Sequence, residues 1–112
     1  MSATSHMVLE RVVTIDPGHP ALPGHFPGHP VVPGVLILSE VMNAIHAGLP
    51  NPVVGIPRVK FLSMLRPGEP LCIRIEPAEK GRVAFTCMAG VRHVAAGVVE
   101  IGPSARLGEG GP

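Results

Sequence analysis

The order of patterns along this chain predicts an α+β domain, an antiparallel sheet curled around one helix. Three observations carry the expectation. The run from Gly34 to Gly48 has no internal glycine or proline and is apolar at helical spacing. A short strand-like stretch precedes it, and four more follow Asn51, each bounded by turn residues. Strand, helix and then consecutive strands is the order of an α+β fold, not of alternating βαβ units.

Val8 to Ile15 forms the first expected strand, with Val8, Val12, Val13 and Ile15 as its apolar residues. In the helix, Leu38, Val41, Met42 and Ile45 share one face. Val35, Leu36, Ile37 and Ala44 extend the apolar character around most of the circumference, which predicts a wrapped helix. Gly48 and Pro50 are its expected stop. The strands that follow are expected at Val53 to Leu62, Leu71 to Glu76, Val83 to Ala89 and Val91 to Ile101. Arg66-Pro67-Gly68-Glu69 and Gly81 supply turns between them, and Gly90 precedes the last. The domain therefore spans 8–102. Residues 1–7 read as a flexible start in which Ser5-His6-Met7 resembles a cloning remnant, and 103–112 as a Gly/Pro-rich tail that frays.

Composition narrows the function. Of 112 residues, 46% are hydrophobic and only 15% charged, which is apolar for a small monomer and suggests a buried subunit interface. A net charge of +1 makes no case for nucleic acid or an anionic membrane, and the absence of Trp and Tyr removes a base-stacking platform. Cys72 and Cys87, on neighbouring expected strands, read as small hydrophobes, neither disulfide nor metal pair. With no apolar run of the roughly 20 residues needed to span a bilayer and no signal peptide, the expected compartment is the cytoplasm.

The segment Asp16 to Pro33 is a long loop of proline, glycine and histidine. Pro27, Pro30 and Pro33 remove donors and push the preceding residues to extended geometry. A loop this long is functional or disordered, and its stiffened backbone and three histidines favour function. It feeds directly into the helix start at Gly34, where free N–H groups favour negative charge. A base held beside such donors suits chemistry on a carbonyl compound.

The run His25-Phe26-Pro27-Gly28, Pro30, Pro33-Gly34-Val35-Leu36-Ile37-Leu38 closely resembles the active-site segment of the 3-hydroxyacyl-acyl-carrier-protein dehydratases of type II fatty-acid synthesis. Val59-Lys60-Phe61 and Arg66-Pro67-Gly68-Glu69 form a second match, and the order fits from about Val8 to Ile101. The lead-in Asp16 to Pro23 is similar to the branch associated with aryl-polyene pathways. The resemblance implies a hot-dog fold, a homodimer or higher homo-oligomer with sites at subunit interfaces, and dehydration of a 3-hydroxyacyl thioester to a trans-2-enoyl thioester. It implies acyl carrier protein as partner, with substrate on its phosphopantetheine, and no metal or organic cofactor.

By resemblance, His25 is the base that takes the proton beside the thioester carbonyl, and it must be neutral to do so; an ordinary imidazole titrates near ~6.5. The Gly34 N–H meets the thioester oxygen, Val31 contributes backbone near His25, and Phe26 and His29 border the substrate. The family acid sits 14 residues after the histidine, at Ser39; this chain instead has glutamate at Glu40. One helical residue turns a side chain by about 100°, so Glu40 does not simply replace the acid. Three readings stay open: a shifted helix start that brings Glu40 in, a water held by Ser39, or a pocket that binds acyl chains without dehydrating them. A thioesterase ranks last, since the fold hosts many functions but that activity lacks this His-Phe-Pro-Gly loop. The spacing of His19, His25 and His29 matches no standard metal site. His46 and His93 carry no motif and read as structural. Arg58, Lys60, Arg66, Arg74, Lys80, Arg82 and Arg92 are either solvated strand faces or a docking patch for the acidic carrier.

Overall fold

The computed structural model describes residues 8–20, 22 and 31–103. Its elements run β1 (Leu9–Thr14), α1 (Gly34–Gly48), β2 (Val53–Phe61), β3 (Pro70–Pro77), β4 (Arg82–Ala89) and β5 (Arg92–Ile101). The strands form one antiparallel sheet in the order β1-β3-β4-β5-β2. Every expected element is present within two residues of its expected limits, and the helix limits coincide.

Turn chemistry sets the strand order. Pro67 and Gly68 occupy the centre of a turn closed by the Glu69 N–H donating to Arg66 O at 3.1 Å. Gly68 has φ +89, the position a type II turn reserves for glycine. Gly81 and Gly90, also at positive φ, serve the β3–β4 and β4–β5 connections.

Alternation along β3 and β4 divides the sheet into two faces. Leu71, Ile73, Ile75, Val83, Phe85 and Cys87 point inward and are buried, joined by Val94 and Val99 of β5. Cys72 pairs with Met88 and Cys87 with Ile73, so the two thiols lie on opposite faces and do not face each other. Cys87 is buried as a small hydrophobe, while Cys72 is half-buried on the outer face.

The helix crosses the inner face from one sheet edge to the other. Its first residue lies against Phe61 at the end of β2, and its last against Leu9 at the start of β1. The face turned to the sheet is Ile37, Val41, Ala44 and Ile45, one position round from the expected set; Leu38 and Met42 are half-buried on its flank. Apolar residues at four successive positions, Val35 to Leu38, leave that rotation undetermined until the sheet chooses it. The opposite face, Val35, Ser39, Asn43 and His46, is exposed. Its stop falls at Gly48, as expected, and Pro50 enforces it. Leu49 is extended at φ −131 and ψ 143, as the residue before Pro50 should be. Gly48 serves packing as well, since a Cβ there would collide with Leu9 Cδ1.

Candidate active site

The site is built where the loop before α1 meets the end of β2. Val32 is buried, and its N–H donates to Leu65 O at 2.8 Å. Leu65 is itself fully buried. This bond anchors the chain two residues before the helix. Pro33 follows in extended geometry, φ −62 and ψ 145, and its carbonyl accepts the N–H groups of Leu36 at 3.0 Å and Ile37 at 3.4 Å. Gly34 and Val35 therefore have no acceptor inside the helix. Among the described residues no side chain caps this end, and no acidic residue occupies the first turn. The partial positive charge of a helix start favours negative charge.

Phe61 roofs this start. A Cβ built on Gly34 would lie 2.8 Å from Phe61 Cζ and 3.0 and 3.1 Å from its Cε atoms. Glycine here lets an aromatic ring sit directly against the backbone. The ring is half-exposed, at 49%, and Val35 beside it is 70% exposed. Leu62 and Met64, in the connection after Phe61, are exposed as well. The second sequence match contains Phe61, but its packing on Gly34 was not foreseen; a glycine opening a helix opposite a phenylalanine was the available signal.

The other expected residues fall in different places. Val31 is half-buried beside the Val32 anchor. Ser39 is exposed on the open face, one turn below Val35. Glu40 is half-buried on another side, in the stripe that continues to Ala44 and Ala47 and reaches the groove against Leu9, Glu10 and Arg11 of β1. Six residues at about 100° each put it about 120° around the helix from Gly34, the residue under Phe61. The structure thus brings Gly34 and Phe61 together, places Val31 next to the anchored Val32, leaves Ser39 on the open face and puts Glu40 on the helix side that meets β1 farther along, at Ala44 and Ala47. His25, Phe26 and His29 lie outside the described residues. Among the described residues no cluster of His, Cys, Asp and Glu is arranged to hold a metal. His46 is exposed in the last helical turn, and His93 is exposed at the start of β5.

The basic residues separate by their partners. Arg74 bridges Glu10 at 3.0 Å and Glu76 at 2.8 Å, Arg82 bridges Glu79 at 3.2 Å and Glu100 at 2.9 Å, and Arg92 bridges Glu69 at 2.9 Å. Among the described residues no such bridge holds Arg58, Lys60, Arg66 or Lys80. Arg58 and Lys60 are exposed on the edge strand β2, immediately before Phe61.

Comparison with known proteins places this geometry. A family model, ApeI-like (ApeI dehydratase), matches residues 2–99. Among solved structures, the dehydratase heterocomplex ApeI:P from Xenorhabdus doucetiae is similar at 26% identity and a TM-score of 0.75, over 86% of this chain and 88% of that one. An uncharacterized protein from Erwinia carotovora subsp. atroseptica is similar at 25% identity and a TM-score of 0.76, over 92% and 89%. The fluoroacetyl-CoA thioesterase FlK shares the fold at 15% identity and a TM-score of 0.60, over 85% and 83%. No curated protein sequence matches the chain. The architecture is the hot-dog fold, as the first motif implied.

Proposed function

Because the chain belongs to the ApeI-like dehydratase family, we propose that it removes water from a 3-hydroxyacyl thioester to give a trans-2-enoyl thioester. The observation that carries this reading is the helix start at Gly34, which no side chain caps among the described residues, roofed by Phe61 and anchored through Val32. The thioester oxygen accepts the Gly34 N–H, and the enolate-like charge that develops there meets a preformed donor, an interaction often worth ~3 kcal/mol in a transition state. His25 takes the proton from the carbon beside the carbonyl. The hydroxyl at the next carbon leaves with a proton from an acid, as water, and the double bond forms between the two carbons.

The acid decides the assembly. Ser39 occupies the open helix face, so a second subunit laid on that face completes the site there. In a homodimer both copies carry Ser39, which leaves Glu40 or a water on Ser39 as donor. A second reading is a partner hot-dog chain that brings its own carboxylate. Two observations favour it: Glu40 is turned toward β1, and the similar Xenorhabdus protein is a heterocomplex. The substrate arrives on an acidic acyl carrier protein that docks on Arg58 and Lys60, the cations beside Phe61 not held by ion pairs. Such steering weakens with salt.

His25→Ala tests the chemistry. It should lower dehydration of a 3-hydroxyacyl-carrier thioester by a factor on the order of 10²–10⁴ while circular dichroism stays that of the parent. Turnover equal to the parent would remove His25 as the base. Sedimentation at micromolar concentration tests the assembly; a clean monomer that still dehydrates would remove the shared site.

A further inference from the structure

We infer that Arg92 and Glu69 are positioning residues for the helix start, holding it through the 62–69 connection. The inference rests on the reading that the Gly34 N–H meets the substrate, and it goes beyond that reading by naming what keeps the donor in place. Neither side chain touches Gly34. Both act on the segment between β2 and β3, whose buried Leu65 accepts the Val32 N–H.

Four sets of bonds lock that segment. Arg92 Nη2 donates to Met64 O at 2.9 Å and to both Glu69 oxygens, at 2.9 and 3.2 Å, and its Nε donates to Ser63 Oγ at 3.3 Å. Ser63 Oγ in turn donates to His93 O at 2.7 Å, which ties the same stretch to the start of β5. Glu69 Oε1 also accepts the Arg66 N–H at 2.8 Å, closing the turn from the inside. The Gly68 N–H then donates to Ile15 O at 2.9 Å, fixing the far end of the segment just past β1. Leu65 stands between these points, so its carbonyl has little freedom, and neither does the Val32 N–H bonded to it. The guanidinium spans four acceptor atoms on Ser63, Met64 and Glu69, a geometry that a lysine ammonium does not reproduce. The Arg92 bond, followed by the Arg66 N–H, holds the Glu69 carboxyl below its ordinary range, so the clamp is charged at neutral pH.

An exposed ion pair of this kind adds little to global stability. Its effect should be local, which is what the test reads. Glu69→Gln and Arg92→Met are compared with the parent in two measurements. In the first, amide hydrogen exchange at Val32 should rise about tenfold in both variants, while exchange at Ile73 and Phe85 stays at parent rates. In the second, kcat on a 3-hydroxyacyl thioester should fall about tenfold with KM within twofold, because a misplaced donor costs transition-state stabilisation more than binding. Arg92→Lys should behave like Arg92→Met, and the double variant should be no worse than the poorer single one. Unchanged exchange at Val32, an equal rise at Ile73 and Phe85, a rescue by Arg92→Lys, or a rise in KM with kcat unchanged would each overturn the inference. If the parent itself does not dehydrate, the functional reading falls and the Val32 exchange still decides the clamp.

Discussion

Gly34→Ala separates what the helix start does for folding from what it does for a ligand. Alanine keeps the N–H, so a loss of activity would come through the new methyl group. That carbon would lie 2.8 to 3.1 Å from three atoms of the Phe61 ring. Carbon–carbon contacts rest at about 3.5–4.0 Å, so the ring must move by about 0.5–1 Å. The colliding atoms are the far end of a half-exposed side chain, which can swing outward; an off-rotamer ring costs about 0.5–1.5 kcal/mol. Replacing glycine by alanine in a helix recovers about 0.5–1 kcal/mol. The two nearly cancel, and the net change in stability should stay within about 1 kcal/mol, or a few degrees in Tm for a domain of this size. The ring, however, is driven across the uncapped N–H groups, and turnover should fall about 10- to 100-fold. Urea denaturation and steady-state dehydration on the same preparations give both numbers. Phe61→Leu in the Gly34→Ala background should recover much of the rate. A loss of more than 2 kcal/mol would mean that the ring is held rigidly, and unchanged turnover would mean that Phe61 does not roof the reacting group.

Gly97→Ala should be severe instead. Its Cβ would collide with the Arg58 carbonyl and lie 2.7 and 2.8 Å from the ring of Phe85, which is buried; neither can step aside, and overpacking with loss of β2–β5 pairing should cost about 3 kcal/mol or more in urea denaturation. Ser39→Glu places a carboxylate on the open face, so it should leave Tm nearly unchanged and raise dehydration by the protein alone, while Glu40→Gln should alter the rate less than twofold; a severe loss in Glu40→Gln would instead make Glu40 the acid. Burial, with a smaller effect from Cys72, pushes the Cys87 thiol up to about 12 from an ordinary 9.0. The unfolded chain ionises that thiol at lower pH than the folded one, so its contribution is complete below the unfolded value and is lost as pH rises from about 9 toward 12. Urea midpoints should therefore drop between pH 8 and 10 in the parent and drop less in Cys87→Val, and maleimide should not label Cys87 at pH 8 until the chain unfolds.

The resemblance in the first motif and the glycine and proline punctuation reached the element order, the helix limits and the turns, because each depends on a few neighbouring residues. The rotation of the helix was harder. Apolar residues at Val35, Leu36, Ile37 and Leu38 offer several possible core faces, and the contact of Gly34 with Phe61, 27 positions along the numbering, selects one. The packing role of Gly48, at the stop it was expected to mark, was hidden for a similar reason: a glycine needed for Leu9 to pack looks the same in sequence as one needed for a left-handed cap. Among the basic residues, sequence could not sort docking candidates from paired ones, since Arg74 finds Glu10 only across strands.

Local chemistry along the chain was thus enough to determine a helix from Gly34 to Gly48 followed by strands of which the last three are linked by hairpins. Turns, proline constraints and periodicity act over a few residues and are written where they act. Only the tertiary structure decided that Phe61 covers the helix start, that Leu65 anchors Val32, and that Arg92 reaches Glu69 across the connection. Those relations join residues far apart in the chain, and they exist only once antiparallel register and burial of the inner face have brought the strands together.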